Sequence, residues 1–247
     1  MSPRFLLLLL VFSCNTFGKE LLFVTLEFPP IAYYDKQAKA ASGFAVEAVQ
    51  KIAKNLGHNI TIKVLPWTRG LNMVKEGEAD AIFTIYKNPE REKFIDFTNE
   101  VFVPQSVSFY VNSGSEIDTE KPLPLDGLTQ YKIGVVSTIS YGKKFDQVKS
   151  KLDTSSATNL VSNFKKLANA RVDLVPSNIY VGDYTLSQKK GDFSGKIKRL
   201  SVPFDNIPSY IGFSKKKSLA SLRDQFDQEL KKMNEAQWIE QVLNNYK

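Results

Sequence analysis

The sequence predicts an α/β fold of two lobes around a cleft. Its 247 residues suffice for one large domain or two small lobes, and 43% hydrophobic and 24% charged residues are ordinary globular values. Strand-like and helix-like segments alternate after residue 20, as in βαβ units with parallel strands. A similar series begins after a polar, proline-containing stretch at residues 112–125. This repeat indicates two lobes, although packing rules shared by all βαβ units could also produce it.

The first series opens with an apolar run at residues 21–26, which ends before Pro29 and Pro30 because prolines cannot continue a central strand. Apolar residues at helical spacing predict a helix over 46–56, and Gly57 follows where a left-handed C-cap is favoured. The next predicted elements are a strand at 59–64, a short helix at 71–74 and a strand at 79–85. This order predicts parallel pairing of the strands.

The second series has a similar order of strands and helices. Its predicted elements are a strand at 132–136, helices at 141–152 and 159–168, and a strand at 172–176. Two C-terminal helices, at 219–233 and 236–246, are predicted to pack on the first lobe. Residues 74–84 and 167–177 both contain a helix end, a tight turn, an aspartate, a buried strand and a polar residue. Because ligands bind at the carboxyl ends of strands in open α/β sheets, these polar strand ends should face one cleft.

The N-terminus, residues 1–18, is predicted to be an export signal. Arg4 precedes an apolar run at 5–12 that is too short to span a bilayer, and small or polar residues follow. Cleavage after Gly18 would leave no cysteine, because Cys14 is the only one, and this suits the oxidising periplasm. A lipid anchor at Cys14 is the alternative.

Composition argues against nucleic acid, metal and cofactor binding. The net charge of +7 is spread along the chain instead of being concentrated in one motif. The sole histidine, His58, follows a predicted helix end. An imidazole there more often interacts with the helix dipole or is exposed to solvent than binds a metal ion. We therefore expect no metal and no cofactor.

The sharpest local signal is the run Asn88-Pro89-Glu90-Arg91 after the strand at 79–85. Asn88 is a favourable N-cap, Pro89 suits the first helical position and Glu90 favours the helix dipole. A helix should therefore begin here with free N–H groups at the strand end. The Arg91 guanidinium can hold a carboxylate with two parallel hydrogen bonds, which indicates an anion site. A surface ion pair of Arg91 with a nearby carboxylate is the alternative.

The mature chain resembles the bacterial extracellular solute-binding protein family 3, the polar amino acid-binding components of ABC importers. The resemblance runs over nearly its whole length, and each motif is weak alone, whereas eight in order are specific. The motifs are Glu27-Phe-Pro-Pro30, Gly43-Phe-Ala-Val-Glu47, Leu65-Pro-Trp67, Gly77-Glu-Ala-Asp80, Asn88-Pro-Glu-Arg91, Asp96-Phe-Thr98, Gly134-Val-Val136 and Arg171-Val-Asp173.

The resemblance implies a two-lobed periplasmic binding protein fold of type II, with two hinge strands and the ligand in the interlobe cleft. Lobe 1 would comprise residues 19–108 and 208–247, and lobe 2 residues 109–207. Residues 107–111 would cross outward and 210–213 would return. The protein would be a monomer that captures a small carboxylate, an amino acid or a similar solute, by hinge closure for an ABC permease of the inner membrane.

The resemblance also implies site residues. Arg91 matches the arginine that clamps the ligand carboxylate. Phe28 and Trp67 match aromatic walls of the site, although both could be ordinary core aromatics. The remaining matches are to hydroxyl or backbone groups at Thr84 and Tyr86 and to a donor at a second-lobe helix N-terminus, Ser140.

Asn178 departs from the family pattern, which usually has an aspartate there that receives the ligand ammonium. Asparagine brings no charge, so either the ammonium is met imperfectly or the ligand has none. Glu27 could supply the missing charge and Arg69 a second anion contact, or both could be solvated surface residues. The Arg91 clamp and aromatic wall otherwise match an amino acid site and favour a ligand with an ammonium.

Two rival functions are open. A dehydratase-like enzyme on the same fold would need a positioned acid or base, and Glu27 and Tyr86 are the only candidates, so the sequence predicts no enzyme. A sensor that presents its closed form to a membrane receptor cannot be separated from an importer component by sequence.

Overall fold

The computed structural model describes residues 20–137, 139–243 and 246, so the predicted export signal and Cys14 lie outside the described residues. The strands are β1 (Leu21–Thr25), β2 (Tyr33–Asp35), β3 (Ala40–Ser42), β4 (Ile60–Val64), β5 (Ala81–Tyr86), β6 (Ile95–Phe97), β7 (Val103–Asn112), β8 (Ile133–Val136), β9 (Thr154–Ala157), β10 (Val175–Asn178), β11 (Ile197–Arg199) and β12 (Asp205–Ser214). The helices are α1 (Phe44–Asn55), α2 (Trp67–Glu76), α3 (Pro89–Glu92), α4 (Lys143–Val148), α5 (Leu160–Ala168), α6 (Ile179–Gln188), α7 (Lys190–Phe193), α8 (Ala220–Glu235) and α9 (Trp238–Leu243). Of these described helices, none has the length and apolar character needed to cross a membrane.

One eight-stranded sheet runs through the molecule in the order β10-β7-β12-β5-β1-β4, with β11 beside β7 and β6 beside β12. β1 pairs in parallel with both β4 and β5, which confirms the pairing predicted for the first series. β8 and β9 form a separate parallel pair, which meets the large sheet through a bridge between Ile133 and Leu174.

Two ten-residue strands connect the two ends of this sheet. β7 and β12 pair with each other antiparallel between residues 103–107 and 205–209. β12 then continues against β5, whereas β7 continues against β10 and β11. We call the part containing β1–β6, α1–α3, α8 and α9 the first lobe, and the part containing β8–β11 and α4–α7 the second lobe. The residue boundaries given above for the lobes stay a prediction.

Each lobe has its own hydrophobic core. In the first, Phe226 of α8 packs on Phe23 of β1 and Phe213 of β12, with ring centroids 5.4 and 5.3 Å apart. In the second, Phe109 of β7 stacks on Phe204 at 4.4 Å. Trp238 of α9 is also buried in the first core, so both C-terminal helices pack on the first lobe as predicted.

Two aspartates make the same hydrogen bonds in the two lobes. The Leu22 N–H donates to Asp80 Oδ2 and the Asp80 N–H donates to the Leu22 carbonyl, both at 2.8 Å. Asp173 and Lys132 repeat this exchange in the second lobe, again at 2.8 Å. The sequence similarity of 74–84 and 167–177 therefore reflects one way of joining neighbouring strands.

Most predicted elements differ from the structure at their ends, and in three of them the structure shows a local reason. The helix predicted at 71–74 is longer, because it begins directly after Pro66. The helix predicted at 141–152 begins two residues later, after Gly142 at φ 99°, and ends in a short 3-10 turn. The strand predicted at 172–176 begins at Val175, since Asp173 and Leu174 are used in the connection to β8.

Candidate functional site

A small cavity lies between the two lobes, at the carboxyl ends of β5 and β10. Its volume of about 60 Å³ has room for roughly four to six water molecules. Its lining residues are Phe28, Tyr86, Val107, Val136, Ile139, Ser140, Tyr141, Leu160, Pro176, Ser177, Asn178 and Val181. The cavity therefore brings together four of the residues that the sequence analysis singled out, two from each lobe.

Arg91 lies on α3, which begins as predicted; it is not one of the residues that line the cavity, but its side chain bonds the carbonyl of Tyr86, which does. The Asn88 side chain accepts a hydrogen bond from the Arg91 N–H at 2.9 Å, and Pro89 occupies the first helical position. However, α3 is only four residues long, and the Arg91 N–H is already bonded to its cap. Because a single turn has a weak dipole, the Arg91 side chain has to supply most of any attraction for an anion.

The Arg91 guanidinium is held by two groups of the first lobe. Its Nη1 donates to the Tyr86 carbonyl at 2.7 Å, and its Cζ lies 5.0 Å from the centre of the Trp67 ring, a cation–π distance. Burial lowers the pKa of Arg91 from its usual value, but a guanidinium stays charged at neutral pH. The side chain is thus half-buried, charged and fixed in position.

Two of the three neighbouring carboxylates bind other cations, and the third, Glu92, forms no ion pair within the described residues. Glu90 pairs with Lys93 at 2.8 Å, and Asp96 pairs with Arg223 at 2.6 Å. Within the described part of the chain, Arg91 forms no salt bridge. The alternative surface ion pair of Arg91 is therefore not formed there, and the guanidinium keeps free N–H groups for a ligand.

Tyr86 and Phe28 form the first-lobe side of the cavity. Tyr86 is the last residue of β5, and burial raises the pKa of its phenol to about 12, so it is a neutral group at physiological pH. Phe28 lies on a tight turn in which its N–H donates to the Ala32 carbonyl at 2.7 Å and its carbonyl accepts from the Ala32 N–H at 3.1 Å. The turn and the strand end together place one aromatic and one phenolic side chain at the cavity.

Thr84 lies beneath this surface and does not line the cavity. Its backbone is left-handed, with φ 61°, at a bulge where β12 skips one residue of β5. The buried hydroxyl donates to the Phe83 carbonyl at 2.6 Å and lies 3.3 Å from the Thr25 hydroxyl. The structure therefore turns this side chain toward its own strand.

Ser140 and Asn178 form part of the second-lobe side. The Ser140 hydroxyl donates to Asp146, and α4 begins three residues further on, so Ser140 is not its cap. Asn178 ends β10 and caps α6: its Oδ1 accepts from the N–H groups of Tyr180 and Val181 at 3.0 and 3.3 Å. Both side chains reach the cavity while bonded to their own lobe.

Glu27 and Trp67 line a second, open groove of about 380 Å³ on the first lobe. Glu27 is exposed, and its Oε2 accepts from the Tyr34 N–H at 3.1 Å. Arg69 is exposed on α2 and, among the described residues, has neither a hydrogen bond nor an ion pair. The structure therefore places Glu27, Arg69 and also Trp67, which was predicted as an aromatic wall of the site, outside the lining of the interlobe cavity.

Sequence analysis missed Gln105 and Tyr141. Gln105 is a buried glutamine on β7 that contacts Asn178, and the Tyr141 hydroxyl accepts from the Val136 N–H at 2.7 Å at the cavity wall. A polar residue within an apolar strand is a recognisable signal, but the predicted crossing strand begins only at residue 107. The described residues contain no group of side chains suited to a metal ion.

We expect Trp67 to report ligand binding. The chain has two tryptophans, and Trp238 is only 4% exposed in the first-lobe core. A ligand-induced change in tryptophan fluorescence should persist in Trp238→Phe and disappear in Trp67→Leu. Because the cation–π contact with Arg91 is worth about 0.5 to 2 kcal/mol, calorimetry should show affinity falling roughly 2- to 30-fold in Trp67→Leu. A fluorescence response that survives in Trp67→Leu would contradict this placement.

Three solved structures illustrate the fold. A histidine kinase sensor domain with similarity to periplasmic binding proteins has 15% identity and a TM-score of 0.70, with 93% of this chain and 96% of that chain covered. An ancestral arginine-binding protein bound to arginine has 20% identity and a TM-score of 0.68, covering 92% and 97%. The second substrate binding domain of a putative amino acid ABC transporter from Streptococcus pneumoniae has 19% identity and a TM-score of 0.72, covering 92% and 99%. At these identities the likeness shows a shared two-lobed fold.

Comparison with curated protein sequences finds no match. The sequence profile of the bacterial extracellular solute-binding proteins, family 3, in contrast, matches residues 22–247. This match includes both lobes, the two connecting strands and the cavity between them. The chain therefore belongs to the bacterial extracellular solute-binding proteins, family 3.

Proposed function

We propose that this protein is a monomeric periplasmic binding protein that captures a small carboxylated solute of amino-acid size and delivers it to an ABC permease. The observation that carries the proposal is Arg91. It is a half-buried guanidinium beside the interlobe cavity, bonded to the Tyr86 carbonyl and the Trp67 ring and without a salt bridge in the described chain. Such a group offers two parallel donors to a carboxylate.

Binding requires the lobes to move. The cavity of about 60 Å³ is well below the roughly 300 Å³ at which small-molecule sites begin, and Tyr180 of α6 packs on Phe44 of α1 with ring centroids 5.5 Å apart. A solute can therefore enter only when the second lobe swings away. β7 and β12 are the connections about which this motion would occur, and a ligand that contacts both lobes would favour the closed form that a permease recognises.

A second candidate is a ligand sensor for a membrane receptor. One structural neighbour is a histidine kinase sensor domain, and the same closed form could be presented to a kinase instead of a permease. Genes for a permease and an ATPase beside this gene would favour import. A neighbouring histidine kinase gene would favour sensing.

The cavity favours binding over catalysis. Among its described lining residues there is no carboxylate and no histidine, and Tyr86, with a pKa of about 12, is a poor base at neutral pH. Glu27, the other candidate acid or base, lies in the open groove. We therefore propose a binding protein that needs neither a cofactor nor a catalytic residue.

A thermal-shift screen of the mature protein from Lys19 tests this function. The probes are the common amino acids, dipeptides, organic acids and amines. Because a ligand at 100 times its Kd stabilises the native state by about 2.7 kcal/mol, at least one carboxylate should raise Tm in a concentration-dependent way. A flat response to every carboxylate, or a response to amines alone, would overturn the proposed function.

A further inference from the structure

The amide of Asn178 has a fixed orientation. The residue is only 8% exposed, and its side-chain oxygen accepts from two backbone N–H groups at the start of α6. Those N–H groups can only donate, so the acceptor atom must face them and the NH₂ group must face the other way. An aspartate in the same place would cap α6 with one oxygen and present a second oxygen, whereas Asn178 presents a donor.

A chain of buried hydrogen bonds holds this orientation. Asn178 Nδ2 donates to Gln105 Oε1 at 2.5 Å, and Gln105 Nε2 donates to the Ser209 hydroxyl at 3.4 Å. The Ser209 hydroxyl in turn donates to the Val103 carbonyl at 2.7 Å. Each member is buried, so reversing either amide would oppose two donors or two acceptors without water to compensate. The connecting strands β7 and β12 thus determine what Asn178 can offer a ligand.

The rest of the cavity wall carries no charge to replace an aspartate. All twelve described lining residues are neutral side chains. The nearby carboxylates have partners: Asp146 of α4 accepts from Ser140, and Asp205 at the start of β12 pairs with Lys144 at 3.0 Å. An ammonium placed here would lose its hydration without gaining an anionic partner.

We propose that the ligand of this cleft carries oxygen, as a 2-oxo or 2-hydroxy carboxylate, where an amino acid carries its ammonium. This inference rests on the proposed function, because it takes the Arg91 guanidinium to hold the ligand carboxylate. The second N–H of the Asn178 amide then donates to the oxygen at C2. The first lobe would donate from Arg91 and the second from Asn178, and the carboxylate and C2 oxygen of the ligand would accept these hydrogen bonds.

Matched ligands that differ only at C2 provide the test. For one aliphatic and one aromatic side chain, calorimetry compares the amino acid, the 2-oxo acid, the 2-hydroxy acid and the acid with an unsubstituted C2. We expect the 2-oxo or 2-hydroxy acid to bind at least about tenfold more tightly than the amino acid. The reason is that burying the ammonium of the amino acid without an anionic partner costs more than about 1.4 kcal/mol of binding free energy. If the acid with an unsubstituted C2 binds as tightly as the 2-oxo and 2-hydroxy acids, the proposed hydrogen bond to the C2 oxygen is wrong.

The variant Asn178→Asp should reverse this preference. One carboxylate oxygen can still cap α6. The other replaces the NH₂ group, so the Gln105 amide has to reverse and donate to it, and its remaining lone pair can accept from an ammonium. The ratio of amino acid to 2-oxo acid affinity should therefore rise roughly tenfold or more. Asn159→Asp is the matched control, because Asn159 caps α5 in the same way, accepting from the Ser162 N–H at 2.9 Å, but is exposed and does not line the cavity. This control should leave the ratio unchanged.

The outcomes separate the two proposals. If wild-type protein prefers the amino acid, the inference about C2 is overturned while the carboxylate-binding function stands. If no carboxylate binds, both are overturned. If Asn178→Asp fails to fold, the comparison of matched ligands on the wild-type protein still decides the question.

Discussion

Arg91→Ala is expected to abolish detectable ligand binding while the protein stays folded. The substitution removes both charge-assisted hydrogen bonds to the carboxylate, each of a class worth about 1.5 to 3 kcal/mol, so affinity should fall at least about 100-fold. The fold should tolerate the change, because in the described structure the side chain makes one hydrogen bond, to the Tyr86 carbonyl, and no salt bridge. Calorimetry with the carboxylate that gives the largest thermal shift measures the loss, and a urea unfolding curve checks stability.

Two further variants show whether the geometry of Arg91 or simply its charge is needed. Arg91→Lys keeps the charge but cannot form two parallel bonds, so it should also be severely impaired. Arg69→Ala removes an exposed cation of the same lobe, and affinity should stay within roughly fivefold of the wild type, as for a surface charge. Equal losses in Arg91→Ala and Arg69→Ala would mean that general positive charge attracts the ligand, and wild-type affinity in Arg91→Ala would refute the clamp.

The sequence predicts the order of elements well because each lobe is built from local patterns. α1 shows this: its apolar positions repeat at helical spacing, and they are the ones buried against the first-lobe sheet. Its C-terminal end is marked by Gly57, which has the expected left-handed φ of 75°. The ends of other elements are harder to predict, since the start of β10 depends on the connection that Asp173 and Leu174 make to β8, a contact between distant segments.

The candidate site is predicted least well where side chains have tertiary partners. The helix start at Asn88 is a local signal and is confirmed by the cap to Arg91. By contrast, no local pattern shows that the Thr84 hydroxyl bonds its own strand, or that Gln105 orients Asn178 across more than seventy residues of sequence. The sequence alone favours a ligand with an ammonium, because nothing in it links Asn178 to Gln105. In the structure, Gln105 fixes the Asn178 amide so that its NH₂ group is the one available to a ligand, and this donor supports a ligand with oxygen in place of the ammonium.

Gly43→Ala is expected to destabilise the first lobe strongly, although it adds only one methyl group. Gly43 precedes α1 at φ 113°, and a Cβ there would lie 2.5 Å from the Ile31 carbonyl oxygen and 2.7 Å from that of Pro30. Those two carbonyls accept hydrogen bonds from the first N–H groups of α1, at 2.9 and 3.1 Å. Displacing them adds lost hydrogen bonds to backbone strain and overpacking, so unfolding free energy should fall by about 4 kcal/mol.

Gly57→Ala is the matched control, because Gly57 is also left-handed, with φ 75°, but no atom lies within 4 Å of an added Cβ. It should lose only the strain of a left-handed alanine, about 1 kcal/mol. Urea unfolding of both variants gives the difference in free energy, which combines the clash with the greater backbone strain of an alanine at φ 113° and ψ 157°. Since the Pro30 and Ile31 carbonyls belong to the turn that carries Phe28, Gly43→Ala should also weaken ligand binding, whereas Gly57→Ala should not. Equal destabilisation of the two variants would show that the backbone conformation, and not the contact with this turn, is what requires glycine at residue 43.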